Sequence, residues 1–456
     1  MMRRLILSLV GGAFVLTSAS WAVAEKPAPD LAAGRAAYEA NCARCHGSTG
    51  AGDGPDSTRL IPRPRDFSEG LYKFRTSASG TSPYDQDLFD TITHGLAETR
   101  MLGFEGLSEK TRWQLVYYIK SFSDIFEDIE PEPVDIGADP GAKKADLAKG
   151  KTIYDNYGCA ACHGTLGRAD GPSSKLLTDD WNQPSLPANL THGWEYRMGS
   201  TPKDIVLRMM TGLDGTPMPS YAGAVDTKEI WHLAYYLHSL QEKPNWSWNI
   251  MAKKAPTLPK TMDDPLWRQA PRTDVKLWSN IYNNQEKVAT GVSWAVVQAF
   301  FANDALVVKV AWDDPTKDTK PLPDQIALVF QPESVDWKIG SLQSWPGPNA
   351  PALDVHLWSA TGQMKQATQV GFAMPASSWT LTSKARYDQG RWTVLFRRPL
   401  QITNGTHLKQ SSAVPVALVV WDGGREETGN KRSASTWLNF HLGPQHRERS
   451  NHGTHH

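Results

Sequence analysis

Apolar positions follow two different rhythms along this 456-residue chain. From Leu31 to Asn41, and again from Leu147 to Tyr157, Leu, Ala and Tyr recur at helical spacing, which predicts a helix at each place. Ser108-Glu109-Lys110 opens another helix that runs through Ile119. Asp226-Thr227-Lys228-Glu229 opens its counterpart, with Asp226 the expected cap and Glu229 completing a capping box. After about residue 263 the helical period gives way to apolar, β-branched runs: Ala305 to Trp312, Ile326 to Phe330, Trp392 to Phe396 and Val414 to Val420. Gly, Asp and Asn turns separate them, and Asp388-Gln389-Gly390 predicts a hairpin between Ala385-Arg386-Tyr387 and the Trp392 strand.

The helical part is a repeat. Cys42-Ala43-Arg44-Cys45-His46 returns as Cys159-Ala160-Ala161-Cys162-His163. His46 to Met101 is 55 positions, and so is His163 to Met218. Asp53-Gly54-Pro55 answers Asp170-Gly171-Pro172, Phe74-Arg75 answers Tyr196-Arg197, and Trp113 with Tyr117-Tyr118-Ile119 answers Trp231 with Tyr235-Tyr236-Leu237. Such self-similarity points to one domain duplicated.

The paired motifs use all 4 cysteines of the chain. C-x-x-C-H is the attachment signal of c-type haem: two thiols for the porphyrin, and an adjacent histidine to ligate the iron. Two disulfides would suit an exported chain, but they give no reason for a histidine after each pair. Zinc lacks a second ligand pair at the usual spacing. The expected cofactors are therefore two covalent haems c, held by Cys42, Cys45 and His46 and by Cys159, Cys162 and His163. Met101 and Met218, in matching loops ahead of a helix, are the expected second iron ligands, opposite His46 and His163. Thioether ligation raises the potential relative to two histidines. Met209 and Met210 are expected in a core and His94 outside the ligand set. With both irons closed, outer-sphere electron transfer is the expected chemistry, and a dihaem enzyme such as a peroxidase is the rival.

Both copies resemble class I cytochrome c domains, over residues 28–125 and 143–243. That resemblance implies a proline carbonyl holding each haem histidine N–H: Pro62 or Pro64 in the first copy, Pro184 or Pro187 in the second. Arg75 and Arg197 are expected to pair with haem propionates, their alternative being ordinary surface arginines.

The third segment resembles the haem-binding subunit domain of ethylbenzene dehydrogenase and related periplasmic molybdoenzymes. Asp263-Asp264-Pro265-Leu266-Trp267, Asp313-Asp314-Pro315, Asp354 to Trp358, Arg398-Pro399-Leu400, and Trp421-Asp422-Gly423-Gly424 through Trp437 carry it in order. The resemblance implies a b-type haem between a methionine and a lysine. Lys431 falls at the lysine position. Residues 338–353 contain no methionine, Pro346-Gly347 stands in its place, and Met364 and Met374 lie beyond. This haem b is accordingly expected to be absent or weakly held.

The expected organisation is multidomain: two all-α class I cytochrome c domains, then an all-β sandwich over 263–443. Residues 126–142 and 244–262 are expected as linkers and 444–456 as a disordered tail. The 18 tryptophans suit haem pockets and sandwich cores. The first residues predict an export signal: Met1-Met2-Arg3-Arg4, the apolar Leu5 to Thr17, and Ala22-Val23-Ala24 before Glu25. This makes 1–24 a signal peptide and places the protein in the periplasm, with membrane association only if the segment is retained. Lys+Arg 48 balances Asp+Glu 48, so nothing suggests nucleic acid. The expected partners are redox proteins: a molybdoenzyme catalytic and iron–sulfur subunit pair, and a downstream cytochrome or oxidase. A ligand-binding sandwich fused to a cytochrome is the remaining alternative.

Overall fold

The computed structural model describes residues 26–60, 62–279, 291–331, 353–367, 382–402, 406–410 and 413–443. The export signal, the tail, Met374, and residues 338–352 of the expected methionine region lie outside them. Among the described residues no helix is long and apolar enough to cross a membrane.

The first repeat contains α1 (Leu31–Asn41), α2 (Ala43–His46), α3 (Asp85–His94), α4 (Glu109–Lys120) and α5 (Ile125–Asp128). The second contains α6 (Leu147–Asn156), α7 (Cys159–His163), α8 (Pro202–Thr211) and α9 (Thr227–Leu240). In each repeat the first helix crosses the long later one, α1 on α4 and α6 on α9, at a glycine. A Cβ on Gly34 would lie 2.4 Å from the Gln114 carbonyl oxygen, and one on Gly150 would lie 2.2 Å from that of His232. The helices therefore pack backbone to backbone and lock the haem motif that follows α1 and α6. Tyr38 and Tyr154, fully buried, donate their hydroxyls to the carbonyls of Gly47 and Gly164 just past each motif (2.9 and 2.5 Å). Ser108 and Asp226 cap α4 and α9 as expected. Glu229 does not complete a capping box; its carboxylate pairs with Lys149 of α6 at 2.9 Å.

The third segment holds β1 (Asn249–Lys254), β2 (Thr273–Lys276), β3 (Trp278–Ser279), β4 (Trp294–Phe301), β5 (Ala305–Asp313), β6 (Gln325–Phe330), β7 (Asp354–Ser359), β8 (Met364–Ala367), β9 (Thr382–Asp388), β10 (Arg391–Pro399), β11 (Ala413–Trp421), β12 (Ser433–Ala434) and β13 (Leu438–Leu442). They form one curled sheet in the order β8-β7-β6-β11-β13-β1-β4-β5-β10-β9, with β2 added to β4 and β12 to β11. Curling brings its two halves face to face. Trp312, Trp392 and Phe396 from one half share a core with Phe330, Trp358, Leu418 and Val420 from the other.

The expected linker 244–262 is corrected here. Its middle is β1, which pairs in parallel with β13 on one side and β4 on the other and joins the two halves. Ala255 and Leu258 then pack with Trp267 over Phe300, Val307 and Leu395, covering the outer face of β4, β5 and β10. With both faces of these strands buried, their sequences read as continuous apolar runs instead of alternating ones. The β9–β10 hairpin turns at Gln389 and Gly390, both at positive φ (44° and 73°), the geometry of a two-residue primed turn.

Candidate haem sites

Each C-x-x-C-H motif forms a short helix, and the four cysteines of the two motifs form no disulfide. Gly54 and Gly171, from the repeated Asp-Gly-Pro, lie against this turn. A Cβ there would sit 2.4 Å from the Arg44 carbonyl oxygen or 2.3 Å from that of Ala161, which explains the glycine in both copies.

The histidines are oriented alike. Nδ1 of His46 meets the carbonyl of Arg65 at 2.9 Å, and Nδ1 of His163 meets that of Ala188 at 2.9 Å. The expected prolines do not supply these carbonyls. Pro64 and Pro187 each stand one residue earlier, fixing the backbone that presents the acceptor. Burial lowers the pKa of both rings, outweighing the opposing carbonyl bond. The rings are thus neutral, Nδ1–H donates to the carbonyl, and Nε2 is left with its lone pair for a metal.

The two methionine loops share one hydrogen-bond pattern. Leu96 N–H donates to the Met101 carbonyl at 2.9 Å, and Leu213 N–H donates to that of Met218 at 3.0 Å. Inside each turn a threonine donates to the leucine carbonyl and accepts from the methionine N–H: Thr99 at 2.8 and 3.1 Å, Thr216 at 2.7 and 3.3 Å. Met101 and Met218 are half-buried. Met209 and Met210 lie in the second repeat's core, and His94 faces Glu105 at the surface.

A cavity of about 400 Å³ is lined by Cys159, Cys162, His163 and Met218. Arg197 is on its wall with Lys73, Arg168 and Arg208. Burial, then the neighbouring Arg65, pulls Lys73 down to about 8, and burial, then Arg75, pulls Arg208 down to about 10. Burial likewise lowers Arg197. Lys73 and Arg168 keep only long ion pairs, with Asp179 and Asp313 at 3.8 Å each, so four cations on one cavity wall fit a macrocycle that carries two carboxylates.

Arg75 has another place. It is fully buried between the repeats, where it pairs with Asp214 at 2.7 Å and donates to the carbonyls of Thr211, Tyr72 and Ala78 at 3.1, 2.7 and 3.2 Å. This corrects the expectation of a propionate partner or a surface arginine, because its donors are taken by protein oxygens. Its repeat counterpart Arg197 reaches the carbonyl of Ala97 at 3.4 Å, and Ala97 is the loop equivalent of Asp214. Arg208 of α8 reaches the Lys73 carbonyl at 3.2 Å, while Thr91 of α3 reaches Met198 Sδ at 3.7 Å. Equivalent residues exchange roles, so the repeats pack about a pseudo-twofold axis with each methionine loop against the other domain. Phe74 and Glu98 of the first repeat accordingly line the cavity of the second.

The sheet domain closes the same cavity. Residues 189–195, directly after Ala188, dock on it: Asp313 accepts from Asn189 at 3.1 Å and meets His192 at 2.8 Å, and it also binds Arg391. His163 to Ala188 spans 25 residues against 19 for His46 to Arg65, and the longer loop supplies this contact. Asp313 was visible in the sequence only as a piece of a resemblance; no local signal identified His192 as its partner. Lys431 donates to the Arg425 carbonyl at 2.7 Å, so its ammonium is engaged by the protein. Met364 begins β8.

Residues 29–119 match the family described as cytochrome c oxidase, cbb3-type, subunit III, and residues 147–241 match cytochrome c. A putative respiratory nitrate reductase heme subunit of Haloferax mediterranei is 25% identical over 205 residues, 43% of this chain and 72% of that protein. The cbb3-type cytochrome c oxidase subunit CcoP of an Azospirillum species is 29% identical over 220 residues, 46% of this chain; the chain spans only 62% of that relative. Among solved structures, a chain of the Kuenenia stuttgartiensis reducing HAO-like protein complex is 42% identical, with a TM-score of 0.44, over 46% of this chain and 96% of that one. The N-terminal half of the chain thus holds two consecutive cytochrome c domains, of the kind that carry covalent haem c.

Proposed function

We propose that the protein is an exported dihaem c-type cytochrome that moves electrons between its two haems and a redox partner, as an electron-transfer subunit or partner of a periplasmic molybdoenzyme. The observation that carries this reading is the duplicated site. Each repeat pairs a carbonyl-oriented histidine with a methionine loop of the same hydrogen-bond pattern, and each loop packs against the arginine of the other repeat.

Bound haem iron supplies a one-electron couple. The chain's residues then act in three ways. Arg65 and Ala188 carbonyls hold His46 and His163 in the tautomer that ligates through Nε2. Met101 and Met218 would each offer a thioether to the bound haem, which favours electron transfer over substrate binding. Arg197, Lys73 and Arg168 would offset the propionate charge of a haem in the second site. Relatives named as a nitrate reductase heme subunit and an oxidase subunit support a respiratory partner.

The test is Met218→Ala in the intact protein. One haem should lose its weak far-red sulfur-to-iron absorption and fall in potential, and wild type should bind carbon monoxide poorly. An unchanged spectrum and potential remove Met218 from the ligand set, and rapid stoichiometric carbon monoxide binding to wild type favours an enzyme. A pyridine haemochrome assay that finds one tightly held b-type haem per chain would make the protein a three-haem wire.

A further inference from the structure

Away from both haem motifs, four aspartates converge on the sheet domain. One carboxylate oxygen from each of Asp314, Asp318, Asp324 and Asp422 lies within 4.8 Å of all the others. Two loops bring them together: the one between β5 and β6, and the one after β11. We infer that these four carboxylates form a calcium site that clamps the two loops beneath the second cytochrome domain.

One atom of the cluster is orphaned. Asp314 is fully buried; its Oδ1 accepts from the Thr316 N–H at 3.0 Å, and its Oδ2 has no hydrogen-bond partner. A buried carboxylate oxygen left bare is costly, and a cation removes that cost. The protein's own cations are committed elsewhere in the cluster. Arg425 pairs with Asp422 at 3.0 Å, and Lys175 reaches Asp318 at 3.4 Å. Asp324 is held by the N–H groups of Asp318, Gly423 and the Trp392 indole at 2.7, 2.9 and 3.0 Å.

The geometry suits the ion. Oxygens around calcium at about 2.4 Å lie about 3.4 Å apart when adjacent and about 4.8 Å apart across the ion. The donors are all hard oxygens, with no nitrogen or sulfur, which disfavours zinc and copper. Gly424 keeps the approach clear. A Cβ there would stand 2.5 Å from Thr316 Oγ1, 2.8 Å from Asp318 Oδ2 and 3.2 Å from Asp422 Oδ1. The placement also gives the site a purpose, because Pro315, Asp422 and Arg425 line the cavity of the second haem motif.

The test uses the full-length holoprotein. Metal analysis after desalting from calcium buffer should find about one calcium per chain, and stripping with EDTA should lower Tm. Calcium should restore Tm where equal magnesium does not, because magnesium demands tighter octahedral geometry. Asp318→Asn should weaken calcium binding in calorimetry roughly tenfold or more, through lost ligand charge. Gly424→Ala should do the same by steric filling, and both variants should keep wild-type haem spectra. A wild type that holds no calcium after desalting and shows no calcium-dependent Tm overturns the inference. So do folded variants that bind calcium as wild type does. Should Gly424→Ala not fold, Asp318→Asn and the wild-type metal content decide.

Discussion

Replacing Gly34 with alanine sets two known effects against each other. Alanine in a helix interior is favoured over glycine by about 1 kcal/mol, so propensity alone predicts a more stable α1. The structure predicts the reverse. The added methyl would lie 2.4 Å from the Gln114 carbonyl oxygen and 2.8 Å from Tyr118 Cβ, and neither is the free end of a side chain that could swing away. The helices must instead separate by roughly 1 Å to restore van der Waals distance, and overpacking of this kind costs about 1–3 kcal/mol. Here the high end applies, because opening the crossing also loosens Tyr38 and Leu115, both fully buried. The net expectation is a loss of about 2 kcal/mol. Denaturant unfolding followed by far-UV circular dichroism measures it. Ala36→Gly, at an exposed position of the same helix, calibrates propensity and should lose about 1 kcal/mol. A Gly34→Ala protein as stable as wild type, or more so, would refute the backbone-to-backbone crossing. The same reasoning covers Gly150, where the nearest oxygen, of His232, is 2.2 Å from the added carbon.

Three further outcomes follow from the geometry. His192 rises to about 9, since burial lowers its pKa but the bonds to Asp313 and Glu195 outweigh that. Its folded pKa exceeds the unfolded value of about 6.5, so its contribution, of order 3 kcal/mol, is complete below pH ~6.5 and is lost as pH climbs through ~9; a wild-type minus His192→Gln stability difference that is flat over this window would contradict the junction. Asp214→Asn strips Arg75 of its buried counter-ion and should cost about 3 kcal/mol in thermal unfolding, whereas a neutral effect would mean that the repeats are not held there. Thr216→Val removes one bond donated and one accepted in the second methionine loop, and should cost about 1–2 kcal/mol while weakening the far-red absorption of one haem only; a loss at both haems would mean the loops are not independent.

The haem motifs, the duplication and the matched methionines were legible because each depends on spacing within a short window. An attachment motif needs its two thiols and histidine on one turn, and a copied domain copies that spacing. The β9–β10 hairpin was legible for the same local reason. Other features depend on chain segments that meet only after folding. The carbonyls on His46 and His163 come from Arg65 and Ala188 because Pro64 and Pro187 shape the backbone ahead of them, and a residue type cannot reveal which carbonyl faces inward. Arg75 and Arg197 are equivalent in sequence, yet one faces Asp214 and the other a cavity, since the aligned position of the opposing loop is an aspartate, Asp214, in one repeat and Ala97 in the other. Residues 249–254 read as part of a linker because lysines, Lys243-Pro244 and Leu258-Pro259 surround them, and they become a strand because β13 and β4 each offer an open edge. The four aspartates lie on loops separated by about a hundred residues, and only the curl of the sheet makes them neighbours.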